Sequence, residues 1–217
     1  MKHILCYGDS NTHGFNPENR GRYDYNERWT GILQNLLGEE YRVIEEGLNS
    51  RTTVLDDPYD ILKNGKTYLT PCIKSHYPLD LVIIMLGSND MKERYHVPAC
   101  DIAKGAGILA KMVLDITAEK SSTNTSAKVL LVSPLYIGKT ITNSNCGEEF
   151  GYMRSYELSR QLAPKYEEVA KSLGIEFMDS ALITEPSEID ALHLSAQGHK
   201  ALGEAFAKRC IEMLADE

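Results

Sequence analysis

Ile4-Leu5-Cys6-Tyr7-Gly8-Asp9-Ser10-Asn11, near the amino terminus, sets four apolar residues directly before a glycine, an acid, a hydroxyl and an amide. A short apolar run ended by turn-forming residues is the mark of a buried strand opening into a loop. In an open α/β sheet, the carboxyl ends of the strands are where ligands bind, so Ser10 stands where chemistry is expected. Similar runs recur at His3–Tyr7, Tyr41–Glu45, Leu81–Leu86, Lys128–Ser133 and Glu176–Asp179. Helical periodicity lies between them: Trp29–Leu37 ending at Gly38, Tyr68–His76 broken or shifted by Pro71, Cys100–Lys120 stopped by the polar stretch Ser121–Ser126, Tyr152–Leu173, and Ala196–Leu214 capped by Ser195. Strands alternating with helices imply a parallel sheet. Leu81–Leu86 and Val129–Val132 are apolar on both pleat faces, as central strands covered on two sides must be. The expected fold is a three-layer α/β/α sandwich with a five-stranded parallel sheet in the flavodoxin-like order 2-1-3-4-5.

The chain has 217 residues, enough for one α/β domain spanning 1–217 with a sizeable core. A net charge of −8 argues against nucleic-acid or anionic-membrane partners and favours a small neutral substrate. The five cysteines are odd in number and widely spaced, which suggests free thiols in a reducing compartment. No leader-like segment or long apolar run is visible, so a cytoplasmic location is expected.

A serine hydroxyl needs a base before it can attack a carbonyl. Asp190-Ala191-Leu192-His193 offers an acid and an imidazole in one short loop, and its carboxylate can hold one ring nitrogen while the other faces Ser10. Ser10, Asp190 and His193 are therefore the candidate catalytic residues. Each alone has a plainer explanation, Gly8-Asp9-Ser10 as a turn and helix cap, His193 as a packed side chain, but the combination is much rarer. Acyl transfer also needs donors for the developing oxyanion. The Asn89 amide, in Gly87-Ser88-Asn89-Asp90 after the third strand, and the Ser10 N–H are candidates, with the loop Gly47–Thr52 a third source. Asn11, Phe15 and Ser88 flank these groups and are the candidate substrate contacts. Asp9, Asp90, Asp190 and His193 could converge on a metal, but the nucleophilic role uses them better, so neither a metal nor a cofactor is expected. No phosphate-binding glycine motif follows any strand, and Thr12 stands where a G-x-S-x-G elbow needs its last glycine.

The blocks Gly8–Asn11, Gly47–Thr52, Gly87–Asp90 and Asp190-x-x-His193 together resemble, in order and from end to end, those of the SGNH (GDSL-type) hydrolases. The stretches Arg28–Gly31, Val43–Leu48, Arg51–Thr53 and Asp80–Gly87 resemble a bacterial arylesterase and acyltransferase subgroup. The resemblance implies Ser10 as nucleophile, His193 as base, Asp190 as its orienter, and an oxyanion hole of the Ser10 N–H, the Ser50 N–H and the Asn89 amide. It implies a serine esterase acting on short-chain acyl esters of aryl or alkyl alcohols through an acyl-enzyme, with acyltransferase side activity. It further implies a homo-oligomer, an octamer being the favoured case, with Leu135–Gly151 at subunit contacts. The wider family has glycine at the position of Ser50, and the arylesterases carry more apolar residues where this chain has Asn11-Thr12-His13-Gly14-Phe15, so a more polar pocket is expected here. That polarity makes a carbohydrate O-acetylesterase the first alternative; a non-catalytic ligand-binding protein of the same fold is the second. Trp29 is expected to pack structurally, and Arg51 to pair with Asp56 or Asp57.

Overall fold

The computed structural model describes residues 1–121 and 125–215. Its sheet is five-stranded and parallel, in the order β2-β1-β3-β4-β5, with β1 Lys2–Gly8, β2 Tyr41–Gly47, β3 Leu81–Met85, β4 Lys128–Ser133 and β5 Glu176–Asp179. The expected strand order is thus observed.

Alternation along the three central strands divides the core into two layers. Leu5 and Tyr7, Val82 and Ile84, and Val129 and Leu131 face one side, under α3 (Gly65–His76), α4 (Ala99–Lys120) and α7 (Leu162–Leu173). Ile4 and Cys6, Leu81 and Ile83, and Leu130 and Val132 face the other, against Trp29 and Leu33 of α2 (Trp29–Leu37) and Leu202 and Phe206 of α8 (Ala196–Leu214). All of these side chains are buried. Full burial of a leucine-sized side chain contributes about 1.5–3 kcal/mol, so covering the sheet on both faces is the main term holding it together. Trp29 is the anchor expected of it, with its ring 4.7 Å from that of Phe206. Among the described residues, no helix is long and apolar enough to cross a membrane.

The helices depart from the sequence expectations in two places. Pro71 neither breaks nor shifts α3, which runs unbroken from a start at Gly65 set by Asn64, whose side chain accepts from the Lys66 N–H at 2.9 Å. The single helix expected over Tyr152–Leu173 is two: α6 (Met153–Ser159) and α7, joined at Arg160–Gln161. Pro164 is the physical reason, since it lacks an N–H and excludes a helical carbonyl at Arg160, but is tolerated in a first turn. α8 starts as expected, with Ser195 accepting from the Gly198 N–H at 3.1 Å. The end of α4 at Lys120 agrees with the polar stop, although 122–124 of that stretch lie outside the described residues. The segment 135–151 is no plain connection: it holds a 3-10 turn at Lys139–Asn143 and the short helix α5 (Gly147–Phe150), and buries Ile137, Ile141 and Phe150.

Candidate active site

Gly8 at the end of β1 pairs with Gly47 of β2 and with Met85 of β3, so three loops leave the sheet side by side. Immediately after β1 the chain turns into α1 (Ser10–His13), capped by Asp9, whose carboxylate accepts from the Asn11 N–H at 3.0 Å. That turn can lie down on the strands only because they end in glycine. A Cβ at Gly8 would sit 2.0 Å from Thr12 Oγ1, and one at Gly47 2.1 Å from the His13 nitrogen. Ser10 is therefore the first residue of a helical turn, where a backbone N–H has no partner within the helix.

The acid and the imidazole reach Ser10 across 183 residues of chain. Asp190 Oδ1 accepts from the N–H groups of Leu192 at 3.0 Å and His193 at 2.9 Å, folding the loop on itself through Ala191, which takes a left-handed φ of 63°. The other oxygen, Oδ2, lies 2.6 Å from His193 Nδ1, and His193 Nε2 lies 2.9 Å from Ser10 Oγ. Ser10, Asp190 and His193 are 7%, 9% and 8% exposed, so the relay is sheltered from competing water. Asn11 ties the two loops together. Its side-chain oxygen accepts from the Leu194 N–H at 2.9 Å and its amide donates to the Leu192 carbonyl at 3.3 Å. The Phe15 ring stands 4.3 Å from the imidazole. Segment 135–151 flanks the same loop, with the Gly138 N–H donating to Ala191 O at 2.8 Å.

Burial alone would push Asp190 up, but the hydrogen bonds from the His193 ring and from the backbone of His193 and Leu192 outweigh it and hold the carboxyl below its ordinary range. An ionised Asp190 demands a proton on Nδ1, which leaves Nε2 to accept from the serine hydroxyl.

Asn89 opens a 3-10 turn (Asn89–Met91) after β3, and its amide donates to the Arg51 carbonyl at 3.1 Å, joining the third loop to the second. An amide has two N–H groups, so one remains for a ligand. Ser50, next in line, has a φ of 65°, the region that favours glycine. The Ser88 side chain lies beside the buried Asp9 carboxyl and helps to offset the effect of its burial.

Arg51 does not pair with Asp56 or Asp57. Its guanidinium is buried over the Tyr7 ring, 4.2 Å from the centroid, and donates to the carbonyls of Gly8 at 3.0 Å and of Glu46. Asp57 is taken by Arg94 at 2.8 Å, and Asp56 accepts from Asn64 at 2.7 Å. The polar pocket expected from Asn11 and Thr12 is also revised, because these residues are 4% and 0% exposed and face into the protein. His199 carries no sequence signal, yet its Nδ1 accepts from the Trp29 N–H at 3.2 Å and so caps α2 from 170 residues away. Burial pushes its imidazole down to about 3, so it serves as a neutral acceptor.

Beneath the site, Asp90 is buried and accepts from the Thr53 N–H at 3.0 Å and from the Thr53 hydroxyl. Burial raises its carboxyl to about 6, and neighbouring Asp9 adds to the rise. A carboxyl that binds its proton more tightly folded than unfolded, where it titrates near 3.9, costs nothing below both values and its full penalty above them. From about pH 4 to pH 7, wild type should therefore lose roughly 2–3 kcal/mol relative to Asp90→Asn, which keeps an acceptor for Thr53. Urea unfolding at each pH measures this, and a constant difference between the two proteins would refute it.

A family model described as the GDSL-like lipase/acylhydrolase family matches residues 6–201. The crystal structure of a carbohydrate acetylesterase from Sinorhizobium meliloti is 38% identical, with a TM-score of 0.91, covering 99% of this chain and all of that one. The native aryl esterase of M. smegmatis is 36% identical with a TM-score of 0.91 over 99% of this chain and 100% of its own. An acetylxylan esterase of Xylanibacter ruminicola is 26% identical over 94% of this chain. The chain spans 42% of the length of that curated relative. A five-stranded sheet in this order, a Gly-Asp-Ser turn at its first strand, and a family match that runs through nearly the whole sequence lead to one assignment: the chain belongs to the GDSL-like lipase/acylhydrolase family and has the SGNH α/β/α fold.

Proposed function

We propose that the protein is a serine esterase that hydrolyses short-chain acyl esters through an acyl-enzyme on Ser10, with residues 1–217 forming one SGNH hydrolase domain. The observation that carries this is the continuous relay Asp190–His193–Ser10, with contacts of 2.6 and 2.9 Å. Ser10 Oγ attacks the ester carbonyl while His193 Nε2 takes its proton, and Asp190 stabilises the imidazolium that forms. The negative oxygen is met by the Ser10 N–H, the Ser50 N–H and the free N–H of the Asn89 amide. His193 returns the proton to the leaving alcohol. Water, deprotonated by the same imidazole, then frees the acid and regenerates Ser10.

Two of the relatives are named for acetyl esters, the carbohydrate acetylesterase and the acetylxylan esterase, which supports an acetyl group as the acyl part. The test is a panel of p-nitrophenyl acetate, longer p-nitrophenyl esters and acetylated xylose oligomers, with a serine-reactive phosphonate followed by mass spectrometry. Turnover of acetyl esters and one adduct on Ser10 are expected. An untouched panel together with an unlabelled protein would leave only the ligand-binding alternative. Acyltransferase activity follows if alcohols compete with water for the acyl-enzyme, read as transfer product.

The five cysteines are free, which supports a reducing, cytoplasmic compartment. A homo-oligomer, for which the family resemblance suggests an octamer, is supported by the exposed apolar side chains Tyr59, Ile61 and Leu62, which are 85%, 85% and 70% exposed in the single chain. Light scattering on the purified protein tests it.

If Ser50 contributes only its N–H, its side chain should be dispensable. Ser50→Gly is expected to keep full activity and to leave the melting temperature unchanged or slightly higher. Ser50→Val, forced into the left-handed region, should lose roughly 1–2 kcal/mol of stability. Turnover and thermal melts on both variants check this, and a loss of activity in Ser50→Gly would give the hydroxyl a role of its own.

A further inference from the structure

Away from Ser10, where β2 meets α3, three potential metal ligands gather. Glu46 lies next to last in β2, while Cys72 and His76 lie one turn apart on α3, an i, i+4 spacing that puts both on one helix face. Glu46 Oε1 is 2.9 Å from His76 Nε2, and one ligand atom from each of the three residues lies within 4.8 Å of the others. The donor atoms of a tetrahedral zinc site stand roughly 3.3–3.8 Å apart, given bonds of about 2.0–2.3 Å. The 2.9 Å contact and the 4.8 Å limit lie on either side of that range, so side-chain adjustments of about an ångström suffice.

We propose that Glu46, Cys72 and His76 form a binding site for a thiophilic divalent cation, Zn²⁺ in the first instance. The donor set is mixed: one carboxylate oxygen, one thiolate sulfur and one imidazole nitrogen, a combination that suits zinc and is poor for magnesium or calcium. With Glu46 and Cys72 both anionic, two negative charges balance the ion. Binding removes the Cys72 thiol proton to solvent and replaces the Glu46–His76 hydrogen bond with two metal bonds. Surroundings favour the arrangement too. Glu46 and His76 side chains are 18% and 27% exposed, and Glu46 lines an open cleft with Tyr68 and Pro71, so an ion has a route in and water can take the fourth position. Cys72 is fully enclosed, which keeps the thiolate out of reach of disulfide exchange. The sequence conceals this site because Glu46 lies 26 residues before Cys72 and only the packing of α3 on β2 unites them. An ion here would staple β2 to α3 and, through the Glu46 carbonyl that Arg51 grips, brace the loop that carries Ser50.

The test is cobalt substitution on the full chain after chelator dialysis. One equivalent of Co²⁺ should produce the thiolate-to-cobalt charge-transfer band and the intense visible bands of tetrahedral coordination, and one Zn²⁺ should displace them. Cys72→Ser should abolish the charge-transfer band, and His76→Ala the tetrahedral visible bands. Cys100→Ser and Cys146→Ser, which change the two more accessible thiols, should leave both intact. His76 is partly exposed, so His76→Ala keeps the test valid if Cys72→Ser fails to fold. Zinc should raise the melting temperature of wild type but not of His76→Ala. A band that survives in Cys72→Ser, or disappears in Cys100→Ser or Cys146→Ser, would place the metal elsewhere and overturn the proposal, as would wild-type protein that gives no tetrahedral spectrum.

Discussion

Ser10→Ala is expected to lower turnover of p-nitrophenyl acetate by roughly 10⁴–10⁶-fold, while the melting temperature moves by no more than the loss of one hydrogen bond allows, about 1 kcal/mol. The serine hydroxyl donates to His193 and holds up nothing else, so stability and activity should separate cleanly. His193→Ala should cost about as much as Ser10→Ala, and the double variant should fall little further, because nucleophile and base act as one unit and each is useless alone. Asp190→Asn is expected to lose on the order of 10⁴-fold. The amide would offer a donor to a ring nitrogen that now donates, favouring the tautomer that cannot take the serine proton. An activity in His193→Ala within tenfold of wild type would sink the relay and require another base.

What the sequence disclosed follows from how local each signal is. The two-sided core was legible because the runs at Leu81–Leu86 and Val129–Val132 are apolar at every position, as strands covered on both faces must be, whereas the strand order rested on the commonest arrangement of five strands joined by right-handed crossovers. Ser10, Asp190 and His193 could be named because a Gly-Asp-Ser turn and an Asp-x-x-His loop are each compact enough to read, although the sequence alone could not show that positions 183 apart meet. Helix ends read well where a serine caps or a glycine stops, as at Ser195 and Gly38. They failed where the deciding residue acts differently by position: Pro71, inside a helix, is accommodated, whereas Pro164 marks a break.

The supporting residues were hidden because they act across space. Arg51 looked like one half of an ion pair, since two acids lie close by in sequence. In the structure it spends its guanidinium on backbone carbonyls at the ends of β1 and β2 instead of on a carboxylate. Asn11 had the spacing of a substrate contact, yet both ends of its amide hold the loop that bears His193. His199, silent in the sequence, fixes the start of α2 and with it Trp29, whose indole N–H donates to the Asn11 carbonyl at 3.0 Å. A chain of buried contacts thus runs from the helix layer to the nucleophile loop.

Asn89→Ala should reduce kcat by about 10²–10³-fold, equal to roughly 3–4 kcal/mol of transition-state stabilisation, with little change in KM. The amide has two separable tasks. One N–H holds the Arg51 carbonyl and so fixes the loop carrying Ser50; the other is, in the proposed mechanism, a donor to the oxygen that becomes negative. Removing it therefore deletes one oxyanion donor and loosens the support of a second. Asn89→Asp distinguishes the tasks, because a carboxylate of the same shape can neither donate to Arg51 nor tolerate an oxyanion, and it should be worse than alanine. Because such donors matter only once charge has developed, the deficit belongs in kcat rather than in substrate binding. An Asn89→Ala enzyme with normal kcat and a weakened KM would instead make the amide a substrate contact, and the oxyanion would then rest on the two backbone donors alone.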